Sequence, residues 1–95
     1  MRATLETLVE SAKVHGLATA SGGKWEAQAY YCGETGEQGV LVTHLGTLML
    51  IVWETEGVEP RSRGWGSMTD KCGIRKVLQN ITGQGYAEVY AGFEE

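Results

Sequence analysis

The start of the chain carries apolar residues at helical spacing. Between residues 4 and 14 an apolar side chain returns every three or four positions, which is the pattern of a helix with one buried face. Thr4 is placed to cap this helix and Gly16 to end it. The same periodicity allows the helix to extend through residues 17–20, whereas Ser-Gly-Gly at 21–23 must end it. The apolar stripe consists of Leu5, Leu8, Val9 and Ala12.

The middle of the chain alternates between apolar and polar positions, as half-buried strands do. Residues 24–32 form the first such segment. Residues 40–45 and 48–55 are predicted to form two more strands, the second of them apolar on both faces and therefore central in a sheet. Because the turns at 33–36 and 46–47 are short, we expect consecutive strands to pair antiparallel.

The last third of the chain predicts a loop, a second helix and a final strand. A polar loop is expected over residues 56–60 and an extended approach over 64–68. The helix then starts at Thr69 or Asp70, where either residue can act as its cap. Residues 86–90 alternate and are predicted to form an edge strand. The apolar stripe of the second helix consists of Ile74, Val77, Leu78 and Ile81.

Together these elements predict a single α+β domain over residues 1–95, an antiparallel sheet of four or five strands with two helices packed on one face. No apolar run reaches the length that spans a bilayer, and Glu6 and Glu10 interrupt the segment where a signal peptide is apolar. We therefore expect a cytoplasmic protein. Cys32 and Cys72 have no C-x-x-C spacing, which favours two reduced thiols over a disulfide framework.

Charge is unevenly distributed along the chain. The net charge is −4, but residues 61–76 carry a local charge of +4 and the other 79 residues carry −8. The acidic body should repel nucleic acid, while the basic segment offers a local anion-binding face. The basic residues of this segment are Arg61, Arg63, Lys71, Arg75 and Lys76.

The start of the second helix has two interpretations. Ser67, Thr69 and Lys71 surround a helix N-terminus, whose free N–H groups and dipole can bind a phosphate or carboxylate. Alternatively, Thr69 and Asp70 only cap the helix. Asp70 fills the position that an anion would take, which favours capping. The Gly-Trp-Gly-Ser sequence at 64–67 matches neither a P-loop nor a dinucleotide fingerprint.

Cysteine and histidine residues allow two further kinds of site. Cys72 lies in the first turn of the helix and could act as a nucleophile with His44 or His15 as its base. A plain half-buried thiol is the simpler interpretation. The same three residues and Cys32 lack the spacing of zinc ligands, so we expect no metal and no cofactor.

Trp65 is the best single candidate for a binding residue. It lies between two glycines and close to Arg61 and Arg63, and exposed Trp, Tyr and Arg side chains dominate binding hot spots. The alternative is that Trp65 fills the core between helix and sheet. A second candidate is a carboxylate cluster, which can perform acid–base chemistry or form a solvated acidic face; its members are Glu54, Glu56 and Glu59.

Part of the chain resembles a loose group of short phage and mobile-element proteins. The segments VLVTHLGTLMLIVW at 40–53 and WGSMTDKCGIRKVL at 65–78 show the pattern of that group: strand, Gly-Thr turn, strand, polar loop, an aromatic followed by S-x-T-x-K, and a helix. The N-terminal helix departs from it. The group implies no reaction, but small acidic phage proteins include inhibitors of host nuclease complexes, such as anti-CRISPR proteins. The matching residues are Gly46, Thr47, Ser67, Thr69 and Lys71.

From this we expect a small, phage-encoded, non-enzymatic protein that binds and inhibits a host protein complex, without direct nucleic-acid or membrane binding. Contact would run through the acidic residues or through the Trp65 segment. The alternative is a weak nucleic-acid or anion-binding module that uses residues 61–76. A spare edge strand and surplus aromatic side chains are also compatible with a homodimer. The predicted binding residues are Trp65, Arg61, Arg63, Lys71, Arg75, Lys76, Glu54, Glu56 and Glu59.

Overall fold

The structure is a computed structural model that describes residues 2–54, 57–62, 68–79 and 89–90. None of the helices in these residues has the length and apolar character needed to cross a bilayer. In chain order the elements are a 3-10 turn at Leu5–Thr7, helix α1 at Leu8–His15, strands β1 at Leu17–Ala20, β2 at Trp25–Tyr31, β3 at Gln38–His44, β4 at Thr47–Trp53 and β5 at Gly57–Pro60, and helix α2 at Met68–Leu78.

The five strands form one antiparallel sheet in the order β1-β2-β3-β4-β5. Each strand therefore pairs with its neighbour in the chain, as the short turns predicted. The tightest connection joins β3 to β4 through Leu45 and Gly46, whose φ angles are 53° and 84°. Positive φ at both positions is typical of the two-residue turn that matches the twist of a hairpin.

The pairing register assigns each strand residue to a face, because directly paired residues project from the same side of an antiparallel sheet. Both helices pack on one side, here called the inner face, where α1 contributes Leu8, Val9 and Ala12 and α2 contributes Ile74, Val77 and Leu78 to one buried core. This arrangement confirms the predicted α+β fold. The opposite side is called the outer face; it carries Leu17, Thr19, Glu26, Gln28, Tyr30, Leu41, Thr43, Ile51, Trp53 and Glu59.

The two edge strands of the sheet differ from the prediction. Residues 17–20 form a strand rather than an extension of α1, because Gly16, with φ 86°, ends the helix and turns the chain back along β2. Residues 57–60 form β5 rather than a loop, and Val58 lies opposite Val52 of β4. Pro60 is tolerated at the end of this edge strand, where a missing N–H removes no interior ladder bond.

The C-terminal part of the chain is anchored through Tyr90, which is 2% exposed. Val89 and Tyr90 lie in a helical turn, so the strand predicted over 86–90 is wrong at these two positions; residues 86–88 lie outside the described residues. The Tyr90 hydroxyl lies 2.7 Å from the carbonyl oxygen of Met49 and 2.9 Å from that of Ser62. Met49 is the extra residue at an irregularity between β3 and β4, and its carbonyl oxygen also accepts hydrogen bonds from the backbone N–H groups of Arg61 and Ser62.

Candidate functional site

A buried histidine–aspartate pair joins the sheet to α2. His44 ends β3, Asp70 lies in the first turn of α2, and Nδ1 of the imidazole is 2.6 Å from Oδ1 of the carboxylate. The two residues are only 4% and 0% exposed. Thr69 and Asp70 are the second and third residues of α2, so the prediction that one of them is the N-cap is wrong. The carboxylate of Asp70 instead accepts a hydrogen bond from His44, and buried pairs of this kind are costly to break.

Trp25 and Gly73 complete this arrangement. The indole of Trp25 stacks on the imidazole of His44, with ring centroids 4.2 Å apart and planes 9° from parallel. Gly73 lies one turn after Asp70 on α2, and a Cβ atom at this glycine would be 2.1 Å from Cζ2 of Trp25. The helix backbone therefore packs directly on the indole. Helix α2 contacts the Trp25–His44 stack at two points on one face, through Asp70 and through Gly73.

The pair fixes the chemistry available at His44. Because Asp70 engages Nδ1, the nitrogen that remains is Nε2. His44 and Cys72 line the same cavity of about 430 Å³, so the structure does bring together one of the predicted nucleophile–base pairs. No hydrogen bond joins the two in the described residues, and Cys72 is exposed. His15 is exposed at the end of α1.

The outer face carries an aromatic pair that sequence reasoning did not single out. Tyr30 of β2 and Trp53 of β4 flank Gly39 of β3, and their rings meet edge to face with centroids 5.9 Å apart. A Cβ atom at Gly39 would lie 2.8 Å from Cε3 of Trp53, so the missing side chain makes room for the indole. Gly39 precedes the strand predicted over 40–45, so its position inside β3, where a glycine often marks a close approach, could not be predicted from the sequence.

An ion pair extends this aromatic cluster toward the sheet edge. The indole N–H of Trp53 donates to Oε1 of Glu59 at 3.0 Å, and the Arg61 guanidinium donates to Oε2 of Glu59 at 2.9 Å. The hydrogen bond from Arg61, followed by that from Trp53, holds the pKa of the Glu59 carboxyl below its usual value. Two predicted binding residues, the acidic Glu59 and the basic Arg61, therefore lie in one cluster with Trp53.

The remaining predicted site residues are dispersed. Glu54 is exposed directly after β4, and α2 carries Arg75 and Lys76, both exposed, and Lys71, which is half-buried. No group of three or more His, Cys, Asp or Glu side chains in the described part of the chain is placed to hold a metal ion. Glu56, Arg63, Trp65 and Ser67 lie outside the described residues, so their predicted roles stay predictions.

The two cysteines are free thiols, as predicted. Cys32 follows β2, and the hydroxyl and N–H of Thr35, with the N–H of Glu34, lower the pKa of its thiol. Cys72 lies in the other half of the chain, on α2. The two thiols therefore lie in different environments, and the reactivity of each can be measured separately.

No family model, no curated protein and no solved structure matches this chain. The resemblance to short phage proteins stays a prediction. A proposal about function must therefore rest on the residues and their geometry.

Proposed function

We propose that the chain is a small non-enzymatic protein that binds a partner protein through its outer face. The observation that carries the proposal is the Tyr30–Trp53 pair, which lies on the side of the sheet opposite both helices. Tyr30 is 41% exposed although it belongs to an interior strand. Tyr and Trp side chains with a neighbouring Arg are the residue types that contribute most binding energy at protein interfaces.

The aromatic pair is already held in place before a partner binds. Gly39 supports the indole of Trp53 from below, and Glu59 fixes its N–H at 3.0 Å. A fixed side chain loses little conformational freedom when it binds, so more of its contact energy appears as affinity. Arg61 adds a planar cation next to the same carboxylate. The side chains of Tyr30, Trp53, Glu59 and Arg61 therefore form one compact cluster, as hot-spot residues do.

Charge favours a basic partner. The chain carries a net charge of −4, and the outer face adds Glu26 to the charge-balanced Glu59–Arg61 pair. Long-range attraction would speed association with a basic protein surface, such as one that binds nucleic acid. The more specific hypothesis, that the protein is phage-encoded and inhibits a host nuclease complex, stays a prediction from the sequence. The alternative, direct nucleic-acid binding through residues 61–76, is less favoured because Arg61 is already paired with Glu59.

Adjacent tyrosines give a matched test of the proposal. Tyr30 and Tyr31 are both exposed, but they project from opposite faces of β2. A tagged chain would be used to isolate its partner from host lysate, and the affinity of the purified partner would be measured for the wild type and for each alanine variant. We expect Tyr30→Ala to weaken binding by about tenfold or more and Tyr31→Ala to leave it within about twofold. Equal affinity of both variants, or loss only with Tyr31→Ala, would overturn the assignment of the outer face.

The nucleic-acid alternative predicts a different result in the same experiment. Retention of the tagged chain on DNA or RNA, with binding that falls steeply as salt is raised, would replace protein binding as the function. Charge reversal at Arg75 would then abolish binding, whereas Tyr30→Ala would not.

A further inference from the structure

We propose that the cavity beside His44 binds a small organic anion, with an apolar body and a carboxylate or phosphate group. The cavity has a volume of about 430 Å³ and lies on the inner side of the sheet, between the turn after β1 and helix α2. Its polar lining includes Ser21, Lys24, His44, Cys72 and Lys76. The cavity lies on the opposite side of the sheet from the outer face, so the absence of ligand binding at the cavity would not count against the proposed function.

The imidazole of His44 supplies the first argument. The side chain is almost fully buried, Nδ1 is hydrogen-bonded to Asp70, and one ring face is covered by Trp25. Nε2 has no hydrogen-bond partner among the described residues, although His44 lines the cavity. Buried polar atoms in folded proteins are nearly always paired with protein, water or ligand. Nε2 is therefore a polar group placed to contact whatever occupies the cavity.

The charges around the cavity select an anion. Lys24 and Lys76 both line it, and neither forms an ion pair with any described residue. The carboxylate of Asp70 is engaged with His44 and does not line the cavity, and no described acidic side chain does. A small oxyanion in the cavity would accept charge-assisted hydrogen bonds from the ammonium groups of Lys24 and Lys76. Two ammonium groups at the rim would attract the same group.

The apolar part of the lining limits the rest of the ligand. Leu5, Trp25 and Met68 contribute hydrocarbon surface, and Gly73 leaves the backbone of α2 open to close approach. A volume of about 430 Å³ lies at the lower end of the range for small-molecule sites. A ligand of a few carbon atoms up to one ring, with one anionic group, fits these boundaries, whereas a nucleic-acid strand does not.

Binding can be tested with probes that differ only in charge. Benzoate and phenyl phosphate carry the two anionic groups, and benzamide is the uncharged counterpart. Titrations followed by amide resonances should show saturable shifts at Lys24, Cys72 and Gly73 with the anions and none with benzamide. The stronger of the two anions identifies the class of the natural ligand, carboxylate or phosphate.

Variants of the exposed lysines test the charge argument without threatening the fold. Lys24→Gln combined with Lys76→Gln should weaken binding of the better probe by at least tenfold. Arg75→Gln serves as the matched control, because Arg75 is exposed on α2 but does not line the cavity. Unchanged affinity in the lysine double variant would overturn the proposal.

The two thiols give a second readout in the wild-type chain. Alkylation by iodoacetamide, resolved by mass spectrometry at each cysteine, should slow at Cys72 when the better probe is bound and stay constant at Cys32, which lies outside the cavity. Absence of protection at saturating probe would show that the cavity is not occupied. Equal protection by benzamide would show that the cavity takes apolar molecules regardless of charge, which contradicts the anion assignment.

Discussion

Replacing Gly73 by alanine tests whether α2 is held on the sheet through Trp25. Alanine is the better helix former by about 1 kcal/mol, so helix propensity alone predicts that Gly73→Ala stabilises the protein. The structure predicts the opposite. A Cβ atom at residue 73 would lie 2.1 Å from Cζ2, 2.7 Å from Cε2 and 2.8 Å from Cη2 of Trp25. Carbon atoms in contact are about 3.5–4.0 Å apart, so helix or indole must move by roughly 1.5 Å.

The magnitude follows from how little room Trp25 has. The indole is 2% exposed and its movement is opposed by the stacked ring of His44 at 4.2 Å. Overpacking a core costs about 1–3 kcal/mol, and we expect the upper end here. Complete expulsion of the indole sets a ceiling of roughly 4–6 kcal/mol, from about 150–250 Å² of buried surface at about 25 cal/mol per Å². After the helix-propensity gain, Gly73→Ala should destabilise the protein by about 2 kcal/mol.

Urea unfolding followed by tryptophan fluorescence and by far-ultraviolet circular dichroism measures this difference, and a thermal melt should show Tm lower by about 8–16 °C. Gly33→Ala is the matched control, because no atom lies within 4 Å of a Cβ at that position, and its free energy of unfolding should change by less than about 0.5 kcal/mol. If Gly73→Ala were as stable as the wild type or more so, the close packing of α2 on Trp25 would be refuted.

Three further predictions follow from buried or paired polar groups. Asp70→Ala leaves the imidazole of His44 buried without its carboxylate and should lower the free energy of unfolding, measured by urea titration, by about 3–5 kcal/mol. Asp70→Asn keeps an acceptor oxygen and should lower the free energy of unfolding less. Equal losses in the two variants would contradict the hydrogen bond between His44 and Asp70. Tyr90→Phe removes a buried hydroxyl that donates to the carbonyl of Met49 and should lower the free energy of unfolding, measured the same way, by about 1–2 kcal/mol. An unchanged free energy of unfolding would contradict the role of this hydrogen bond in holding Tyr90 in place. For Glu59 the folded pKa lies below its ordinary value of 4.5, mainly because of Arg61, so its contribution to stability is present above that value and is lost as pH falls through the folded pKa. The stability gap between wild type and Glu59→Gln should therefore narrow as pH is lowered from 7 to 3, and a constant gap would show that the carboxylate makes no such contribution.

The parts of the fold that sequence could predict are those with strong local patterns. Both helices and strands β2, β3 and β4 were predictable because each carries a local signal: helical spacing in the helices, alternation in β2 and β3, and a continuous apolar run in β4. Short elements were missed. Residues 17–20 fit a helix and a strand equally well, and only pairing with β2 decides between them.

The candidate site was harder to predict because its contacts are not local. Asp70 fits a capping position by its neighbours, yet its partner is a histidine 26 residues earlier in the chain. By helix propensity Gly73 is unfavourable in α2, and only the position of the Trp25 indole against it explains why a glycine stands there. The alternation of β3 does place His44 on the same face as Val40 and Val42, which indicates burial but names no partner.

Footprinting of the complex tests most directly whether the outer face binds the partner protein. Hydroxyl radicals oxidise exposed aromatic side chains, so oxidation at Tyr30, Trp53 and Tyr31 can be compared by mass spectrometry in the free chain and in the complex with its isolated partner. The proposed function predicts that oxidation of Tyr30 and Trp53 falls several-fold in the complex while Tyr31, on the opposite face of the same strand, stays as reactive as in the free chain. Protection of Tyr31 with Tyr30 and Trp53 unchanged would contradict it.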